Sequence, residues 1–544
     1  MPRLRKLLFV LFTLSSGACA AGAAEPEPPR RTEARTAAPP VAASAAEPAR
    51  SPEAAEPAPF RSAAKVSLWI RGGDVLDGVS PKRRRADVVI DGAVIVHVGP
   101  VAPDLVAERT IDASGFVVAP GFIDAHAHAD PFGSGEQLLA QGVTTIVVGQ
   151  DGFSPAERIG AFLDRVQVSR PALNVATLVG HHTVRTSAGV GAAKSPSEAA
   201  LAKMTRLVDE AMKQGAFGLS TGLEYEPGRL AGADELARIA GPVGERGGVV
   251  MSHLRSEDDD KIEASLEELF DQCKTAKARA HVAHMKIVLG KGEARAKRIL
   301  AKLDEARAAG LSVTADLYPY TASYTTVSIL FPPFAKPPND YAEARARRKD
   351  DLRAYLRERV TTRNGPEATV FGTGRYAGKT LAEVATAERR PFEDVLMELG
   401  PRGAEAAYFV MDEPVMEALF RDEHVMIGTD GGGGGRHPRG NGSFSRVLAR
   451  LVRDRKLVSL EEAVRKMAAL PARTLGLEAR GTLEPGSAAD LAIFDPDDVE
   501  DTATFERPYA VAKGMKLVIV NGVVALEGGK PTKARAGRAL RKRD

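Results

Sequence analysis

The sequence predicts a (β/α)8 TIM-like barrel inserted in a small β-sandwich domain built from both ends of the chain. Three observations predict it. Short apolar strand patterns recur from Val118 to Asp430, most of them separated by helical patterns. Residue types that bind metals fall at the ends of five or six of these strands, where a barrel keeps its chemistry. Strand patterns without helices occupy both flanks, at 66–117 and 479–530.

The 544 residues are long for one domain, so a large core with a smaller companion is the expectation. A formal charge of +3 is close to balance and gives no sign of nucleic acid as a partner. The two cysteines, Cys19 and Cys273, are too few for a disulfide framework or a cysteine-rich zinc site.

Taken in order, the chain opens as an export signal over 1–19. Arg3, Arg5 and Lys6 precede the apolar run Leu7 to Leu14, which is too short to span a membrane as a helix. Ser16-Gly-Ala-Cys19 reads as a lipoprotein processing site with Cys19 lipidated and attached to the membrane; cleavage after Ala18-Cys-Ala20 is the alternative. Both readings place the protein outside the cytoplasm, periplasmic or lipid-anchored in the bacterial envelope. Residues 20–64, rich in Ala, Pro, Glu and Arg, have little to bury and read as a disordered tether.

Residues 66–117 then carry short β patterns around an Asp91-Gly92 turn. The barrel is expected over 118–478. Its strands are Val118–Ile123, Val143–Gly149, Val175–Gly180, Ala216–Ser220, Gly248–His253, Ala280–His284, Ser312–Asp316 and Val425–Asp430. About a hundred residues before the last strand exceed one crossover and predict an insertion at about 330–420, over the barrel mouth. Gly431 to Gly435 read as a rim loop, and Lys533 to Asp544 as a frayed basic end.

The chemistry collects at the strand ends. His126 and His128 alternate on an extended backbone and share a face. Asp151 follows the second strand, His181 and His182 the third, and Glu224 the fourth. His253, His284 and Asp430 end the fifth, sixth and eighth. Imidazole and carboxylate suit Zn²⁺ or a related divalent ion with positions left open for water.

An ordered set of motifs then points to a family. It includes Gly121-Phe-Ile-Asp-Ala-His-Ala-His128, Gly215-Ala-Phe-Gly-Leu-Ser-Thr-Gly-Leu223, Ser252-His-Leu-Arg-Ser-Glu257, Ala283-His-Met-Lys286, Asp316-Leu-Tyr-Pro-Tyr-Thr-Ala322, Thr429-Asp-Gly431, His437-Pro-Arg439 and Ala489-Asp490. Over nearly all of 66–540 the chain resembles the N-acyl-D-amino-acid deacylase (D-aminoacylase) family of the metal-dependent amidohydrolase superfamily. The resemblance implies that His126 and His128 bind one metal position, His253 and His284 the other, and that Asp430 is the acid/base. One or two zinc ions would serve. Where the family has a cysteine ligand in Gly-Asn-Cys-Gly, this chain has Gly149-Gln-Asp-Gly152, so Asp151 stands as a harder anionic ligand. Glu224 is the alternative for that place. Lys286, Tyr318 and Arg439 resemble positions that hold the substrate carboxylate, and His181 one that shapes the pocket.

The implied reaction is hydrolysis of a small N-acyl-D-amino acid to a carboxylate and a free D-amino acid, with metal-activated water as nucleophile. The rivals are a dipeptidase for D- or isoaspartyl peptides and an inactive envelope-bound binding protein.

Overall fold

The apolar run that begins at Val117 is broken at Gly121 into two strands that serve different sheets. The structure is a computed structural model describing residues 59–432 and 434–543. The export signal of 1–19, Cys19 and most of the tether lie outside the described residues. The tether expected to end at residue 64 ends earlier: Phe60 stacks on His97 at 4.9 Å and bridges to Val101, covering an apolar edge.

The first flank forms β1 (Val66–Val75), β2 (Arg84–Asp91), β3 (Val94–Gly99), β4 (Ala107–Asp112) and β5 (Val117–Pro120). After Gly121, β6 (Phe122–Asp124) opens the barrel. A Cβ on Gly121 would stand 2.3 Å from the Thr144 side chain, so only glycine lets the chain cross from one sheet to the other here. The barrel expected to begin at residue 118 thus begins at Phe122.

The barrel continues through β7 (Val143–Val148), β8 (Asn174–Thr177), β9 (Val179–Gly180), β10 (Gly218–Gly222), β11 (Val249–His253), β12 (Arg279–Val282) and β13 (Val313–Leu317). β8 and β9 are one strand interrupted at Leu178, whose N–H still donates to the Val148 carbonyl. The insertion supplies β14 (Ser323–Thr326), β15 (Thr369–Phe371) and β16 (Glu405–Tyr408). It therefore starts at Ser323 rather than 330. Its antiparallel sheet, ordered β14-β16-β15, packs on its own core of Val327, Leu330, Leu356, Phe371 and Leu396.

β17 (Val425–Ile427) is the eighth barrel strand. The parallel order is β6-β7-β8, then β9-β10-β11-β12-β13-β17. The ring closes through Asp430 N–H to the His126 carbonyl at 2.8 Å and His128 N–H to the Gly431 carbonyl at 2.9 Å. This seam puts the first and last ligand strands side by side. β12 and β17 stop short of their expected ends because His284 and Asp430 leave the extended conformation.

The second flank gives β18 (Leu491–Phe494), β19 (Met515–Val520), β20 (Val523–Glu527) and β21 (Lys530–Pro531). β5 lies between β1 and β18, so both ends of the chain join in one β-sandwich around Ile70, Val88, Ile90, Val118, Leu491 and Ile519. The terminal segment expected to fray is instead attached. Val175 N–H donates to the Arg538 carbonyl and Leu540 N–H to the Val175 carbonyl, each at 2.9 and 2.8 Å respectively. Polarity of composition misleads here, because backbone pairing needs no apolar side chain.

Candidate active site

Parallel strands deliver their C-terminal ends to one rim, and the ligand-type residues follow them there. Three sit in left-handed backbone conformations: Asp151 at φ 52°, His284 at φ 34° and Asp430 at φ 47°. Such residues cost energy and persist where the surroundings over-determine them. Gly222 is one cause: a Cβ there would lie 2.3 Å from the Asp151 carbonyl oxygen. The turn after β7 rests directly on the end of β10.

Three donor groups result among the described residues, the third being Glu224, His253 and Glu257, and the first two meet at Asp151. His126, His128, Asp151 and Asp430 each offer one atom, all within 4.8 Å of one another; Asp151, His253 and His284 do the same. Asp151 belongs to both. Its Oδ1 is 3.5 Å from His126 Nε2, 3.5 Å from His284 Nε2 and 3.9 Å from His253 Nδ1, and its Oδ2 is 3.2 Å from His128 Nε2. Asp430 Oδ1 stands 3.3 Å from His128 Nε2 and 3.7 Å from His126 Nε2. His253 Nδ1 and His284 Nε2 are 2.8 Å apart.

Behind three of the imidazoles stands a carboxylate on the opposite ring nitrogen. Asp316 faces His126 Nδ1 at 3.5 Å, Glu224 faces His253 Nε2 at 3.1 Å, and Glu257 faces His284 Nδ1 at 3.1 Å. A carboxylate in that place fixes ring orientation and tautomer. Glu224 is thus set apart from the shared position, which the geometry gives to Asp151. Asp316 also accepts from His281 at 2.9 Å and from the His284 N–H at 3.0 Å. Asp316 and Glu257 were not singled out in the sequence, although each stands in a family motif, Glu257 four residues after His253.

Lys286, Tyr318 and Arg439 line the same cavity, of about 950 Å³, as the donor groups. Lys286 Nζ pairs with Glu257 at 2.6 Å, and Arg439 pairs with Asp430 Oδ2 at 2.6 Å. Both cations lie over the Tyr318 ring, at 5.8 and 4.8 Å from its centroid. The Tyr318 hydroxyl itself points to Met411 Sδ. Tyr225, also unforeseen, lies against His253 with ring centroids 4.5 Å apart and accepts a hydrogen bond from Thr325.

His181, expected to shape the pocket, does not line it. It opens the helix His181–Ser187, is fully buried, and contacts Glu235 at 2.7 Å; Glu235 also holds the buried Arg185. His182 is buried too, with Nε2 on the Gly222 carbonyl. The Gly-His motif here braces the barrel wall.

Burial disfavours charge throughout this cluster, and mutual pairing overcomes it. Despite burial, Asp151 and Asp316 hold the His126 imidazole well above its ordinary value. Burial and Lys286 press His284 down, yet Asp430, Glu257 and Asp151 lift it to about 9. Burial raises Asp430, but Arg439 and then His284 hold it far below the usual carboxylate range. Lys286 brings Glu257 down to about 2 against its burial.

A divalent metal fits these residues. Both ring nitrogens of His126 and Asp151 Oδ1 are buried without a hydrogen-bond partner among the described residues, an arrangement costly unless something binds there. Ligands about 2.0–2.1 Å from a tetrahedral zinc stand about 3.3 Å from each other, and the separations of 3.2 to 3.7 Å around His126, His128, Asp151 and Asp430 match that spacing.

Comparison with known proteins identifies the family. The Amidohydrolase family profile matches residues 109–288 and 358–526. The N-acyl-D-glutamate deacylase of Alcaligenes xylosoxydans xylosoxydans is 36% identical over 88% of this chain and 97% of its own length. The D-aminoacylase of that organism is 34% identical over 87% and 97%. Among solved structures, N-acyl-D-glutamate deacylase from Bordetella bronchiseptica, complexed with zinc and a phosphonate mimic of the tetrahedral intermediate, aligns with TM-score 0.77 at 33% identity, covering 88% of this chain and all of that one. The ordered donor groups at the rim of an eight-stranded barrel, joined to a sandwich from both chain ends, sit in a sequence that matches these relatives along nearly their whole length; the chain is an amidohydrolase and belongs to the D-aminoacylase family.

Proposed function

We propose that the protein hydrolyses N-acyl-D-amino acids at the amide bond, releasing a carboxylate and a D-amino acid. The carrying observation is the pair of donor groups joined by Asp151 beneath two buried cations. His126, His128, Asp151 and Asp430 would hold one zinc ion, and Asp151, His253 and His284 a second. Zinc supplies Lewis acidity to the scissile carbonyl and activates water at neutral pH.

The chain's own residues do the rest. Lys286 and Arg439, held over the Tyr318 ring, attract the substrate carboxylate and fix the amide at the rim. Asp430 accepts the proton of the attacking water and passes it to the departing nitrogen, which is too basic to leave as an anion. Its Arg439 contact aims the carboxylate during both transfers.

The site is proposed to work outside the cytoplasm, carried there by the signal at 1–19 and anchored through a lipid on Cys19. The basic residues before the Leu7 to Leu14 run support export, and Asp151 in place of a thiolate removes an oxidisable ligand. Cys19→Ser should move the protein from the membrane to the soluble fraction; an unchanged distribution contradicts the anchor.

A substrate panel tests the activity: acetyl-Met, -Glu and -Asp in D and L forms beside β-Asp-Leu and hydantoins. Release of D-amino acid from the acetyl-D members is expected. Cleavage of the L forms alone overturns the substrate assignment, and cleavage of hydantoins alone overturns the linear amide.

A further inference from the structure

The active-site cavity is larger than a short acyl-amino acid requires. Its volume of about 950 Å³ lies at the upper end of the about 300–1,000 Å³ typical of pockets for drug-sized ligands. The space beyond the catalytic rim is walled by the insertion, through Thr325, Thr326, Ser328, Thr373, Arg402 and Glu405. These hydroxyls and charges are interleaved with apolar Ile329, Pro401 and Ala404, a mixture that suits a peptide, polar in its backbone and apolar in small side chains, better than a bare alkyl chain.

One side of this wall is a strand with one open edge. Among the described residues β14 pairs only with β16. The register sets Thr326 opposite Glu405, and Val327 N–H donates to the Ala404 carbonyl. Backbone groups in an antiparallel pair alternate between partner and open side. The N–H groups of Tyr324 and Thr326 therefore turn away from the β16 backbone, while the Thr326 carbonyl takes the Tyr408 hydroxyl at 3.3 Å. That open side faces the reaction centre, because Arg439, which pairs with Asp430, also donates to the Tyr324 carbonyl at 3.3 Å. No described residue accepts from either N–H. A row of amide donors beside a cavity is what an extended peptide uses to add a strand.

We propose that the acyl half of the substrate is itself a short peptide, which lies along the open edge of β14 while its C-terminal D-residue is released at the metal centre. This rests on the deacylase reading and names the substrate class for it. The bond broken is the amide joining the peptide to the D-residue; water supplies the hydroxyl to the peptide carboxylate and the proton to the amine.

Thr326 offers a direct probe. Its φ of −65° is the value proline imposes, and Thr325 before it is extended, so Thr326→Pro deletes one edge N–H without opposing the backbone. The zinc-loaded full chain is compared on one D-amino acid carrying acetyl, acetyl-Gly-Gly or octanoyl. The acetyl-Gly-Gly compound should give kcat/KM at least tenfold above acetyl, with octanoyl gaining less than threefold. In Thr326→Pro the ratio of acetyl-Gly-Gly to acetyl should fall towards one, with folding checked by Tm. Equal rates for all three acyl groups, or octanoyl as the best substrate, overturn the proposal and leave the deacylase reading standing. A folded Thr326→Pro that keeps the full ratio also overturns it; if that variant does not fold, the wild-type comparison of acetyl-Gly-Gly with octanoyl decides alone. Failure to cleave any of the three overturns both.

Discussion

Single carboxylates divide into two jobs in this site, according to the imidazole nitrogen they face. Glu224 and Glu257 meet His253 and His284 on the side away from Asp151. Glu224→Gln and Glu257→Gln should each weaken zinc binding about 10–100-fold, read by chelator competition on the protein without substrate. Unchanged affinity in both would remove the orienting role. Asp151 is different, since it touches the first two donor groups. With cobalt in place of zinc, Asp151→Cys should keep binding and gain a thiolate-to-cobalt absorption band, and absence of the band would put residue 151 outside the coordination sphere. Asp430→Asn should retain the zinc ion assigned to Asp151, His253 and His284 and lower kcat about 10²–10⁴-fold, judged against zinc content measured on the same sample. His126, His128, His253, His284 and Asp430 were legible in the sequence because each follows an apolar strand, a signal that also misled for His181. Asp316 and Glu257 were not, because their partners are imidazoles from other strands, and only the fold brings them together.

Elements behaved as their patterns predict except where one residue ends them. Gly121 divides an unbroken apolar run between two sheets, a break invisible to hydropathy and evident only from the Thr144 side chain packed against it. The insertion was visible as surplus length, yet its β14 edge was not, since Ser323-Tyr-Thr-Thr326 lacks a clear apolar alternation. The helix His181–Ser187 carries a prediction of its own. Burial, and next His181, push His182 down to about 3, below the ordinary 6.5. A folded-state value under the unfolded one means that protons favour unfolding. This contribution is complete above pH 6.5 and is lost progressively as pH falls towards 3. Relative to His182→Asn, the metal-free wild type should lose unfolding free energy from pH 7 to pH 5. Parallel denaturation curves at the two pH values would contradict it.

At the scale of the molecule, a buried polar knot joins the sandwich to the barrel floor. Asp490, from the Ala489-Asp490 motif, bonds Asn174 at 3.0 Å, the Asn521 N–H at 2.7 Å, and Arg480. Asn174 in turn accepts from Asn521 at 2.7 Å and from the Arg538 N–H at 3.1 Å. Asp490→Ala takes an acceptor from both Arg480 and Asn174, leaving Arg480 with Asn521 and Asn174 with Thr145 alone as acceptors, and should cost about 3–5 kcal/mol by urea denaturation. A loss under 1 kcal/mol would show the knot to be dispensable. The barrel, the composite sandwich and the family were all legible in the sequence, because strand recurrence and ligand spacing survive without coordinates. The attachment of the basic C-terminal segment was not, since it depends on backbone bonds to Val175.

All of this converges on a cation shared by strands that are far apart in sequence. Titrating zinc into chelator-stripped protein, while following release of amino acid from acetyl-D and acetyl-L substrates, tests that claim most directly. Turnover of a D-substrate should appear as one to two zinc ions bind and vanish again on stripping. Tight zinc binding with no hydrolysis, or hydrolysis that persists without metal, would contradict it.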